Sequence, residues 1–167
     1  MLIEVVAGLV GGLIGAAAMF AVRTRGMRAE PPDPSLLLAR ISGGDARDYP
    51  ALGALLQLGY GMLLGAAFAL VTARVPGWSV SVSDWTTALP EWTLRVPGWD
   101  ERLWVAGLIY GLVLAIVGLA FWAPTIGLQE RLDALDPREH ARRTAALVGA
   151  HVVYGVILGA VVQALVA

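Results

Sequence analysis

Hydrophobic positions in this chain are gathered into four long runs without charged side chains: residues 5–22, 51–73, 103–129 and 144–167. A bilayer core takes ~20 residues of helix to cross, so each run is long enough to span one. None shows the period-two alternation of a barrel strand. In lipid a segment must satisfy its own backbone N–H and C=O groups, which leaves the helix as the spanning structure. The pattern predicts transmembrane helices at about 3–22, 51–73, 103–126 and 144–166, within a single membrane domain covering 1–167.

Three of the runs carry versions of one unit, Tyr-Gly-x-x-Leu-small. It occurs as Tyr60-Gly61-Met-Leu-Leu64-Gly65, as Tyr110-Gly111-Leu-Val-Leu114-Ala115, and within His151-Val-Val-Tyr154-Gly155-Val-Ile-Leu158-Gly159. Four residues make just over one helical turn, so the two small residues share a face and let another helix approach closely. Gly61, Gly65, Gly111, Gly155 and Gly159 are therefore packing positions. The first run adds Gly12 among Gly8, Gly11 and Gly15. One turn before the tyrosine stand Gln57 in the second run and His151 in the fourth, the seventh and eighth residues of their uncharged runs and so at closely similar depth. The first pair of helices thus reads as duplicated in the second, as in parallel repeats about an axis along the membrane normal.

The connections differ from one another. Residues 23–50 carry Arg23, Arg25, Arg28, Arg40 and Arg47, and residues 130–143 carry Arg131, Arg138, Arg142 and Arg143, against Arg74, Arg95 and Arg102 in 74–102. This bias places the first and third connections in the cytoplasm and both termini outside. Ser35 to Ile41, after Pro31-Pro-Asp-Pro34, and Leu128 to Leu135 read as short amphipathic helices at the cytoplasmic interface. Asp136-Pro137 opens a further helical turn through Arg143. The charged sides of these helices form a solvated face, or a dock for a soluble partner. In 74–102, Trp78, Trp85, Trp92 and Trp99 recur every seven residues, Trp104 opens the third helix, and Ser79 to Ser83 alternates like a short strand. Tryptophan concentrates at the membrane–water boundary, so these side chains are expected as interfacial anchors on an extracytoplasmic cap; a stacking surface for a sugar or headgroup is the alternative. The first run, with Glu4 before it and arginines after it, has the pattern of an anchor and not of a cleaved leader.

Composition narrows the function. The chain has 167 residues, 57% hydrophobic and 15% charged, with a mean hydropathy of +0.70, far from a soluble domain. A net charge of −1, with no basic stripe, gives no reason to expect nucleic acid as a partner. Absence of cysteine removes disulfides, Cys-ligated zinc, iron–sulfur clusters and thiol nucleophiles. No Gly-x-Ser-x-Gly, His-Glu-x-x-His or P-loop occurs, and the apolar runs contain no carboxylate pair. Neither catalysis, a metal nor a cofactor is expected.

The remaining candidate chemistry is an intramembrane polar cluster of Gln57, Tyr60, His151 and Tyr154. His151 is the one ionisable residue inside the runs and away from their ends, so function is the default hypothesis for it. A chain of interhelical hydrogen bonds, ~0.6 to 2 kcal/mol each in membranes, is the plainer reading. A proton or solute path is the sharper one.

The His-x-x-Tyr-Gly-x-x-Leu-Gly stretch at 151–159, with residues 35–65 and 130–160 around it, resembles small four-helix membrane proteins of prokaryotes, of unassigned function and common in halophilic archaea. The resemblance implies a fold and a location and supplies no catalytic residues; Gln57 stands where a second His would complete the symmetry. The expectation is an all-α membrane protein: a four-transmembrane-helix bundle built from two parallel two-helix repeats, with short amphipathic cytoplasmic helices and a Trp-rich extracytoplasmic loop. Its expected role is a non-catalytic structural or accessory subunit, or a self-associating bundle forming a homo-oligomer or joining a larger complex in the lipid bilayer of the cell membrane. The alternative is a small transporter or channel using the polar cluster. A continuous wet cavity reaching Gln57 and His151 would favour the alternative, and a dry, fully packed bundle the structural role.

Overall fold

A computed structural model describes residues 2–26, 33–73, 79–81, 93–95 and 102–166. Four helices among them are long and apolar enough to cross a membrane: Leu2–Arg25, Pro50–Thr72, Leu103–Thr125 and Pro137–Val166. Large apolar side chains such as Leu55, Leu63, Ile116 and Phe121 point outward and are well exposed, as a multi-pass bundle in lipid requires.

Helix α1 (Leu2–Gly26) is followed by α2 (Asp33–Ser42), which ends at Gly43 with φ of 75°, a left-handed conformation that glycine adopts without strain. Asp45 caps a short 3-10 turn (Ala46–Asp48) by accepting from the Arg47 N–H at 2.9 Å. Pro50 then opens α3 (Pro50–Thr72) at a position where its missing N–H costs no helical bond. Two short strands, β1 (Ser79–Ser81) and β2 (Thr93–Arg95), pair antiparallel with Val80 opposite Leu94. Trp78, Trp85, Trp92 and Trp99 lie outside the described residues; Trp104 lies in the first turn of α4 (Leu103–Val117) and is partly exposed.

The third span is not one regular helix. After α4 comes a π-helical stretch, Gly118–Trp122, in which the Ala123 N–H bonds back to Gly118 O, and then α5 (Ala123–Thr125). Pro124 has no N–H to give to a carbonyl four residues earlier, and a wide turn just before it relieves the mismatch. Gly127, with φ of 76°, turns the chain into α6 (Leu128–Asp133).

The fourth span, α7 (Pro137–Val166), begins earlier than its apolar run predicts. The turn expected separately at 136–143 is continuous with it. Asp136 Oδ1 accepts from the Arg138 and Glu139 N–H groups at 3.0 and 3.1 Å, Glu139 pairs with Arg142 and Arg143, and nothing between Arg143 and Thr144 breaks the helix. At 30 residues, α7 is ~45 Å long and outreaches a ~30 Å hydrocarbon core.

α7 packs along α1 and α4, and α1 along α3, whereas α3 and α4 barely touch. Backbone contact between glycine faces makes the seams. A Cβ built on Gly12 would strike Gly61 O, and on Gly65 would strike Gly8 O; one on Gly155 would strike Gly107 O, on Gly111 His151 O, and on Gly159 Leu103 O. Without a hydrophobic drive between helices in lipid, this close approach is what holds them. Ala7, Ala16, Phe68, Tyr154, Leu158 and Val162 fill the bundle core.

A second core lies at the end carrying α2 and α6. Leu36 of α2 and Leu128 and Leu132 of α6 are buried with Ala123, Ile126 and Leu147. Leu36, Leu128 and Leu132 of the two short helices are thus covered by protein, while Ile41 at the end of α2 is exposed. α2 is docked by Ser35, fully buried, whose Oγ donates to Tyr49 O at 3.0 Å and against which Gly53 leaves no room for a Cβ. Arg40 Nη1 donates to Thr125 O at 2.9 Å and joins α2 to the end of α5.

Candidate functional site

The loose α3–α4 flank and the α2 cap enclose a cavity of about 530 Å³, within the ~300–1,000 Å³ usual for ligand pockets. Ala16 and Met19 of α1 and Tyr154 of α7 line it from inside the bundle, Leu64 and Leu114 border it on α3 and α4, and Asp33, Pro34 and Leu37 of α2 line its capped end. Walls are mostly apolar, and each polar group has a distinct state.

Gln57 is 5% exposed, and neither its amide nitrogen nor its amide oxygen has a hydrogen-bond partner. Burying an amide unpaired costs ~1–3 kcal/mol by mutational measures, so native proteins rarely leave one so without a reason. His151 Nδ1 lies 2.8 Å from Leu147 O; a carbonyl can only accept, so Nδ1 carries a proton, and in the neutral ring Nε2 is then an acceptor. Nε2 faces Gly118, where a built Cβ would sit 3.8 Å from it. The Tyr154 hydroxyl donates to Gly61 O at 2.7 Å and is satisfied. Asp33 is engaged by Arg23, whose Nη1 and Nη2 donate to its two carboxylate oxygens at 2.6 and 2.7 Å, so this buried pair is internally neutral.

On the outer flank Tyr60, 60% exposed, stacks on Trp122 with ring centroids 6.4 Å apart and planes 7° from parallel. This stack bridges the gap between α3 and the π stretch. Farther from the capped end, the Tyr110 hydroxyl donates to Leu64 O at 3.0 Å and the Tyr110 ring tilts against Phe68 at 5.2 Å. These contacts join α3 to α4 beyond the cavity.

Gln57, Tyr60, His151 and Tyr154 thus all line one cavity, but in different roles: Gln57 and His151 present free polar atoms, Tyr154 is a tie between α7 and α3, and Tyr60 sits at the outer rim. The five packing glycines singled out by the repeat, and Gly12 of the first run, all abut a neighbouring helix. The sequence reading missed Asp33, treated as part of a proline-rich approach to α2, and Gly107, which lies outside the Tyr-Gly unit yet meets Gly155. It also missed the π stretch, for which Gly118 and Pro124 inside one apolar run were the available signal. His140, in the charged segment before the fourth run, ties α6 to α7 with Nδ1 3.0 Å from Leu132 O. Set against known proteins, the chain matches no family model, no curated protein and no solved structure.

Proposed function

We propose that this is a non-catalytic membrane protein that binds a small ligand in the cavity beside Gln57 and His151, the carrier-like reading, in preference to a purely structural or accessory subunit. The observation that carries the proposal is the Gln57 side chain, buried, unpartnered and lining a cavity that a ligand's polar group could complete. The glycine faces support the same preference. Gly12, Gly61, Gly155 and Gly159 are occupied by contacts within the chain, so they are not a free surface on which the bundle would self-associate.

The scaffold for this role is two parallel two-helix repeats. That reading is supported by the correspondence of the seams: Gly12 and Gly8 of α1 meet Gly61 and Gly65 of α3, as Gly107 and Leu103 of α4 meet Gly155 and Gly159 of α7. In the proposed orientation the α2 and α6 end, and with it the cavity, faces the cytoplasm, and both termini and the tryptophan-rich loop face outward. The cysteine-free chain makes orientation simple to test. Single cysteines at Asp45, Ala88 and Asp133 should react with an impermeant maleimide in intact cells at Ala88 alone; labelling of the other two from outside would reverse the orientation.

Binding itself is tested on protein purified in mild detergent. Mass spectrometry of the organic extract should recover a small molecule whose yield drops in Gln57→Leu and His151→Phe, with helicity by circular dichroism unchanged. A wild-type protein that carries nothing, and whose melting temperature no lipid or solute raises, would overturn the reading.

A further inference from the structure

We infer that the ligand is a neutral, hydroxyl-headed lipid with one apolar chain, which reaches the cavity sideways from the bilayer, between α3 and α4, past the Tyr60–Trp122 stack. This inference rests on the binding role proposed above and names its chemistry.

The head follows from the free polar atoms. His151 Nε2 is an acceptor, because Nδ1 is committed to Leu147 O, and Gln57 offers both an N–H donor and a carbonyl acceptor. A hydroxyl meets two of the three: its O–H donates to Nε2 and its oxygen accepts from the amide N–H. A carboxylate or phosphate head does not. It has no proton for Nε2, and the cavity wall supplies no arginine or lysine, while Arg23 is held bidentately by Asp33. An anion there would remain uncompensated in an apolar site.

The chain and the route follow from the walls. Around the polar atoms the lining is aliphatic and aromatic. At ~30 Å³ per water-sized group, about 530 Å³ holds on the order of eighteen such groups, enough for a head and one chain. Packed helices close the α1 and α7 sides, whereas α3 and α4 barely touch and the rim residues Leu56, Val117, Phe121 and Trp122 are exposed on the flank. The stacked Tyr60 and Trp122 rings span this flank beside the cavity, and side-chain rotation is enough to part them.

The experiment uses the full chain in phosphatidylcholine vesicles with a long-chain fatty alcohol bearing a diazirine. Light should attach the probe to residues 56–64 or 114–123, with unlabelled alcohol competing. Gln57→Leu and His151→Phe should each reduce labelling roughly three- to thirty-fold, the equivalent of one membrane hydrogen bond. Gly118→Leu, which fills the space beside Nε2 and removes no polar group, should reduce it as well. In a Tyr60→Cys, Trp122→Cys chain, joining the thiols with a short reducible bis-thiosulfonate should slow labelling, and reductant should restore it; an unchanged rate would overturn the sideways route. A fatty-acid probe that labels as strongly as the alcohol at neutral pH would overturn the neutral head. If neither probe labels but a water-soluble solute raises the melting temperature, the lipid is wrong and the binding role stands. If nothing binds at all, both fall.

Discussion

The α1–α3 and α4–α7 seams and the α3–α4 flank lie in comparably apolar helices and hold opposite structures. In the seams glycines stand four apart and bring backbones into contact, so that Gly155 meets Gly107 and Gly61 meets Gly12. On the flank α3 presents Tyr60 and Leu64 toward α4, and the two helices are kept apart by ring stacking and one tyrosine bond. Small residues yield a dry seam and large ones a propped gap. The difference shows that cohesion and vacancy in this bundle are set by residue size at a few positions, not by overall hydrophobicity, which is high everywhere.

The largest effect is expected where the gap is strapped shut. Asp33→Ala leaves Arg23, whose side chain is 8% exposed, without its partner, and breaking such a buried pair typically costs ~3–5 kcal/mol. Thermal unfolding in detergent should show the loss, with α2 released first in hydrogen exchange; an unaltered melting temperature would mean that the cap is held by its leucines alone. Next comes the seam itself. Gly155→Leu drives a side chain into Gly107 and should cost ~1–3 kcal/mol or more, whereas Gly118→Leu, on the open side, should leave stability nearly unchanged. Equal losses from the two would erase the distinction between seam and flank.

Gln57→Leu should act in the other direction. It removes two unpaired polar atoms from the wall, so ligand-free protein should gain ~1 to 2 kcal/mol by melting, while the ligand-loaded form should lose its stabilisation. A loss in the ligand-free form would show that the amide supports the fold. The smallest effect is expected for Tyr154→Phe, which deletes one hydrogen bond to Gly61 O and should cost ~0.6 to 2 kcal/mol.

Periodicity and charge made the seams legible: four apolar runs fix the helices, and glycines on one face mark where helices meet. The flank was harder to read because a cavity is defined by residues that fail to touch, and no pattern in one helix reveals that its neighbour leans away. Gln57 and His151 could be picked out as polar atoms in apolar runs, yet their unsatisfied state depends on which groups arrive across the bundle. Asp33 lies within a proline-rich stretch ten residues after Arg23, and only the fold brings the two within bonding distance. The continuity of α7 was hidden by the charges at 138–143, which mark where the apolar run stops and do not interrupt the backbone.

In geometric terms the π stretch at Gly118–Trp122 holds one residue more than the α-helical turns around it would. Each residue turns an α-helix by ~100°, so the extra one re-aims everything on one side of it relative to the other. It brings Trp122 round to Tyr60 while the Gly107 and Gly111 face stays on α7. Deleting Leu119 should re-aim Trp122 relative to the Gly107 and Gly111 face, swing the indole away from the tyrosine, and leave the glycine seam in register. A change of one codon would thus convert a guarded flank into an unguarded one without disturbing the joint that holds the bundle together.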